Sequence, residues 1–126
     1  MMDVLTSLDH YRSIPWVQGG RDLKRDKGLD CWGLARMVCH QLTGVELPAD
    51  DSEAMARMGE LCQVLDDTRS IRAGDLVTMQ RGLHVGVCIG EHVLHSSKTS
   101  GVQLVSVAVV HRQKIAHRVL RPRRQA

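Results

Sequence analysis

Between Cys31 and Thr43 apolar residues recur three or four positions apart. Leu34, Val38 and Leu42 carry the pattern with Ala35 and Met37 beside them, which predicts an amphipathic helix that Gly44 stops. A second helical pattern follows Pro48. Asp50 with Glu53 three residues later resembles a capping box, and Ala54, Met55, Met58 and Leu61 form a stripe expected to be buried, with Cys62 ending that helix. Ahead of these, residues 3–11 predict a short helix with Leu5 and Leu8 on one side. Ile14-Pro15-Trp16-Val17 reads as extended, because the residue before a proline is pushed away from the helical region. Gly19-Gly20 follows as a tight turn. The charged run from Arg21 to Lys27, apolar only at Leu23, reads as an exposed loop.

The texture changes at Ile71. Short β-rich runs separated by turn residues predict strands over Leu76–Gln80, Leu83–Ile89, His92–Ser96, Val102–Val110 and Ile115–Leu120. Helices first and strands after predict an α+β fold, with N-terminal helices packed on a C-terminal antiparallel sheet. Residues 1–126 read as a single domain without repeat or linker, and residues 121–126 as a frayed basic end.

One stretch alternates cleanly. In His84-Val85-Gly86-Val87-Cys88-Ile89, Val85, Val87 and Ile89 share what is expected to be the core face, and His84, Gly86 and Cys88 share the other. With Gly90-Glu91 as a two-residue turn, position 89 pairs with 92 and 86 with 95. His84 and His95 then sit diagonally on one face of adjacent strands, roughly 7–8 Å apart and within reach of imidazole-to-imidazole hydrogen bonding. A slip of one residue would separate them. Gly86, opposite His95, leaves space there.

Composition narrows the function classes. Phe is absent and Tyr11 is the only tyrosine, so the core rests on Leu, Val, Ile, Met and Ala, and stacking platforms for bases or sugars are scarce. The net charge of +3 is unevenly spread: residues 1–75 carry nine basic and thirteen acidic side chains, residues 76–126 eight and one. A basic second half suits an anionic partner (a cell-wall polymer, a membrane surface or nucleic acid), complementation of the acidic half, or simply a solvated tail. No aromatic residues interleave with the basic tail, which argues against nucleic acid. Cysteines 31, 39, 62 and 88 form no Cys-x-x-Cys pair, and a reduced interior is the simpler assignment. The N-terminus shows no basic start followed by an apolar run, and no stretch is long enough to cross a membrane. The expectation is synthesis in the cytoplasm without a signal peptide, with other machinery carrying the protein outward.

Candidate chemistry centres on Cys31. Asp30 is the expected N-cap, so the thiol sits in the first helical turn, beside unpaired N–H groups and the positive end of the helix dipole, where thiolate is favoured. A thiol at a helix start, one imidazole as base and a polar group orienting it are the parts of cysteine nucleophilic catalysis. Paired sheet histidines with a nearby cysteine could instead hold zinc, although a further ligand or open position would be needed and the placement of Cys31 would go unexplained. Cys39 reads as a packing thiol, Cys62 as structural, and Cys88 as a lining or packing thiol on the histidines' face. Asp75 reads as a turn cap or an anchor of the strand entry.

Gly28-Leu29-Asp30-Cys31-Trp32-Gly33-Leu34, Leu47-Pro48, Ala73-Gly74-Asp75-Leu76-Val77, His84-Val85-Gly86-Val87 and Leu94-His95, in that order, resemble the signatures of the NlpC/P60 family of papain-like cysteine peptidases. Tryptophan after the cysteine is similar to the branch found in tail-assembly proteins of phages and prophages. The resemblance implies an α+β papain-like fold, Cys31 as nucleophile, His84 as base and His95 as the residue orienting it, with no cofactor and no metal. It also implies peptidoglycan stem peptides as substrate, cut between D-glutamate and a diamino acid, and phage tail proteins as partners. An alternative is a structural tail-assembly or docking protein with little hydrolysis. Two departures stand out. Trp16 occupies the aromatic position where the family often has tyrosine, which makes Trp16, Asp30 and Trp32 the oxyanion or cleft candidates. Leu23–Lys27 looks like an insertion, read as a surface loop in preference to a cleft wall.

Overall fold

A computed structural model describes residues 8–124 of the chain. Six helices and six strands follow in order: α1 (Leu8–Arg12), α2 (Leu23–Asp26), α3 (Cys31–Thr43), α4 (Asp51–Ala56), α5 (Met58–Leu61), β1 (Cys62–Leu65), β2 (Leu76–Met79), β3 (His84–Cys88), β4 (His92–Ser97), β5 (Gly101–Ser106), α6 (Val107–Arg112) and β6 (Ala116–Pro122). The strands form one sheet in the order β1-β6-β2-β3-β4-β5, with antiparallel pairing throughout. The α+β architecture expected from the sequence, with helices on an antiparallel sheet, is what the structure shows. The first helical reading, residues 3–11, lies partly outside the described residues; its described part is α1.

Helix α3 forms because its apolar stripe coincides with strong stop signals at both ends. The Asp30 carboxylate accepts from the Gly33 N–H at 2.9 Å, satisfying a donor the first turn leaves open. At the other end Gly44 takes φ 76°, and its N–H reaches His40 O at 2.8 Å. The helix buries Leu34, Ala35, Val38 and Cys39 completely against the sheet face formed by Leu76, Val87, Leu94 and Leu120. Its first turn fits closely under the preceding chain. A Cβ on Gly33 would stand 2.1 Å from Gly20 O, and one on Gly20 would stand 2.3 Å from Gly28 O. These glycines let the 17–20 turn cross directly over the start of the helix, which fixes where Cys31 points.

Several sequence expectations need correction. The run Arg21–Lys27 is not simply an exposed loop: Leu23–Asp26 is a helical turn, capped by Asp22 through Lys24 N and Arg25 N. Arg21 is largely buried and joins Asp30, Asp51 and Ala49 O, tying the loop, the α3 cap and α4 together. The helix after Asp50 breaks at Arg57 into α4 and α5, so Met55 falls off the buried stripe and is 77% exposed, while Ala54 and Leu61 are buried. Cys62 opens strand β1, a strand that Gln63 and exposed Val64 gave little reason to expect. The Val102–Val110 run divides at Ser106, whose hydroxyl accepts from Val109 N at 3.1 Å and starts α6.

Dividing that run covers the second face of the sheet. Val77, Met79, Val93 and Val110 form their own buried cluster, so both faces of the central strands are cored. Cys88, on the face expected to be open, is fully buried and donates to Gly90 O. The C-terminal basic end also differs from expectation, since Arg121 and Pro122 belong to β6. Arg121 grips Asp75, which is 1% exposed, through two hydrogen bonds of 2.9 and 2.8 Å. Asp75 also accepts from Arg72 N at 3.0 Å, in keeping with its reading as an anchor of the β2 entry.

Candidate active site

The hairpin register is the one the alternating pattern predicts. Gly86 pairs with His95 and Val87 with Leu94, and Ile89 N donates to His92 O across the turn. A Cβ on Gly86 would stand 3.2 Å from the His95 Cβ and 2.6 Å from Val93 Cγ1, so only glycine leaves His95 its space. His84 Nε2 and His95 Nδ1 lie 3.0 Å apart, and the rings meet edge to face at 86°. That bond engages His84 Nε2. Among the described residues no hydrogen bond engages His84 Nδ1, so this nitrogen is available to a third group.

Cys31, His84 and Leu83 share the walls of two clefts. The larger, about 650 Å³, also has Trp16, His95, Ser96, Lys98 and Gln103 on its walls; the smaller, about 150 Å³, has Trp32, Met55, Met58 and Leu83. Both clefts have apolar walls, the larger one through Met79, Val105 and Ile115, but the larger adds more polar groups. Lys98 is the one charged residue lining the larger cleft, and the buried Ser96 hydroxyl is the one buried side-chain polar atom among the described residues without a hydrogen-bond partner.

The electrostatics differ from the expectation at one point. Burial pushes the Cys31 thiol up from its ordinary value, more than the backbone N–H groups of Val85 and Trp32 pull it down, and the nearby Asp30 carboxylate pushes the same way as burial. At this thiol burial outweighs the helix start. Burial likewise lowers His84 and His95, and the two imidazoles disfavour each other's charge at His95. Each of these shifts favours the uncharged form, a thiol at Cys31 and neutral imidazoles at His84 and His95.

The remaining candidates separate clearly. Trp16 is half-buried on the larger cleft beside Cys31, and its indole N–H bonds no other described residue. The Trp32 indole N–H is instead engaged by Pro48 O at 3.0 Å, leaving the ring as a wall of the smaller cleft. Asp30 caps α3, pairs with Arg21 and accepts from Gly19 N at 3.1 Å, so it braces the site from behind. None of Leu23–Lys27 lines either cleft. Arg21 is the supporting residue that sequence reasoning missed, since a lone arginine in a charged run carries no periodic signal. Among the described residues no cluster of three or more His, Cys, Asp or Glu gathers as a metal ion would require.

A sequence profile described as the NlpC/P60 family matches residues 13–124. The chain belongs to the NlpC/P60 family. With membership comes the family's character, that of cysteine peptidases hydrolysing peptidoglycan. A crystal structure of the NlpC/p60 domain of the peptidoglycan hydrolase SagA is similar in fold, with a TM-score of 0.64 at 21% identity. The match covers 94% of this chain and 95% of that one. No curated protein matches significantly. As an NlpC/P60 domain, the chain places its most exposed cysteine between two clefts and keeps Cys39, Cys62 and Cys88 buried; burial and the proximity of Cys39 push the Cys62 thiol up to about 12. No helix of the described residues is long and apolar enough to span a membrane.

Proposed function

We propose that this NlpC/P60 domain is a cysteine endopeptidase of peptidoglycan stem peptides, cutting the bond between D-glutamate and the diamino acid. The observation that supports it most is that Cys31 and His84 wall the same two clefts while His95 holds the far nitrogen of His84. Cys31 Sγ attacks the scissile carbonyl as its proton passes to His84 Nδ1. The C–N bond then breaks, and His84 returns that proton to the departing amine. Water, deprotonated by His84, clears the thioester and frees the acid. For Nδ1 to accept, the His84 proton must sit on Nε2 and donate to His95 Nδ1, so His95 selects the working tautomer. The backbone N–H of Cys31, one of the first-turn donors without a helical partner, faces the developing oxyanion, with the Trp16 indole as second donor. Lys98 suits the free carboxylate of a D-glutamyl residue. Incubating purified cell wall with the protein should release fragments carrying a new free amine on the diamino acid, read by mass spectrometry. Intact wall peptides after prolonged incubation would refute the assignment.

The pH profile follows from the histidines. A general base works neutral, and burial lowers the His84 pKa below the ordinary 6.5. The acid limb of kcat/KM should therefore lie below pH 6.5, as an apparent value belonging to the coupled pair. A limb at or above 6.5 would contradict a buried neutral base.

The tryptophan after Cys31 and Trp16 in place of tyrosine favour a second reading, a structural or docking protein of a phage or prophage tail with little hydrolysis. The two readings share a route, in which the protein is made in the cytoplasm and reaches the wall within a tail. Fragment release by the isolated protein separates them.

A further inference from the structure

The smaller cleft beside Cys31 is walled for an aliphatic group. Ala54, Leu76 and Leu120, all buried, line it deeply, and Met55, Met58 and Leu83 line it further out. Met55 and Leu83 are 77% and 84% exposed, the two most exposed large hydrophobic residues among the described residues. They come from different elements, α4 and the turn ahead of β3, yet both line this cleft, Leu83 lining the larger cleft as well. Scattered exposed apolar residues need no explanation, but two on the walls of a single cavity mark a surface that a ligand covers. The turn holding Leu83 out is conformationally unusual: Gln80, Arg81 and Gly82 take φ of 53°, 61° and 90° in succession. The one charged wall residue, Asp51, is already paired with Arg21. At about 150 Å³ the cavity holds one side chain and not a whole ligand, and Cys31 and His84 complete its walls.

We propose that this cleft is an aliphatic subsite, which takes the linear methylene side chain of the substrate residue adjoining the scissile bond, with Met55, Met58 and Leu83 packed along it. Flexible methionines suit a chain of variable length. The assignment to a substrate residue rests on the endopeptidase reading, but the cleft can be probed without hydrolysis. Cys31 in the native protein is alkylated with N-methyl and N-butyl iodoacetamide, and the modified peptide is followed by mass spectrometry. Each fully buried methylene is worth about fourfold, so three more in a half-open cleft should make the butyl reagent roughly tenfold faster. The double variant Met55→Ser, Leu83→Ser should bring the ratio close to one, and a reagent ending in a carboxylate should show no advantage. Both substitutions fall at exposed positions, and circular dichroism checks that the fold is kept. Equal rates in the unmodified protein, or a butyl preference that survives the double substitution, would overturn the subsite. A butyl preference with no release of wall fragments would keep the cleft as an aliphatic site and remove the hydrolase reading instead.

Discussion

Cys31→Ala is expected to abolish the proposed release of stem-peptide fragments, by roughly a thousandfold or more, while leaving thermal stability within a few degrees of the unmodified protein. In the proposed mechanism the rate loss follows from removing the atom that forms the acyl intermediate, after which neither imidazole has a nucleophile to activate. His84→Ala is expected to cost about as much, and the double variant little more than either, because the two groups act as one unit. Stability is spared because α3 is capped by the Asp30 side chain and buried through Leu34, Ala35 and Val38, none of which touches the sulfur's role. Fragment yield is read by mass spectrometry alongside a thermal melt. Release by Cys31→Ala at the original rate would remove Cys31 from the chemistry; a lost fold would leave His84→Ala, measured the same way, to decide it.

The largest effect on stability is expected far from the thiol. Arg121→Ala strands the Asp75 carboxylate, which is 1% exposed and receives two of its three hydrogen bonds from that guanidinium. Breaking a buried pair from one side leaves an uncompensated charge, and the cost here is about 3 kcal/mol, the low end of the usual range because Arg121 itself touches water. For a chain of this size that lowers Tm by roughly 10 °C. Removing both charges with Asp75→Asn and Arg121→Met should recover a good part of the loss. The measurement discriminates sharply between an anchored final strand and a frayed basic tail. A tail would shift the melt by no more than a degree or two.

Arg121 is also where local reading of the sequence fails for a physical reason. Its neighbours Arg123 and Arg124 look like any solvated end, and only pairing β6 between β1 and β2 brings its guanidinium to a carboxylate 46 residues earlier. The Val102–Val110 run fails similarly. Its valines favour a strand, but the Ser106 cap and the bare second face of the sheet turn the last part into α6. Met55 fits a helical stripe only if the helix continues past Arg57, which it does not.

What the sequence determined alone is whatever is encoded within a few residues: the limits of α3 through Asp30 and Gly44, and the face and register that set His84 beside His95. These are short-range consequences of capping, backbone sterics and the two-residue period of a strand, and they survive translation into three dimensions unchanged. Only the tertiary structure decided the sign of the Cys31 shift, the second core, the Asp75–Arg121 clasp and the division of the surroundings of Cys31 into two clefts. Each of these depends on burial and on groups distant in the chain, and desolvation is a property of the assembled surroundings that no local pattern records.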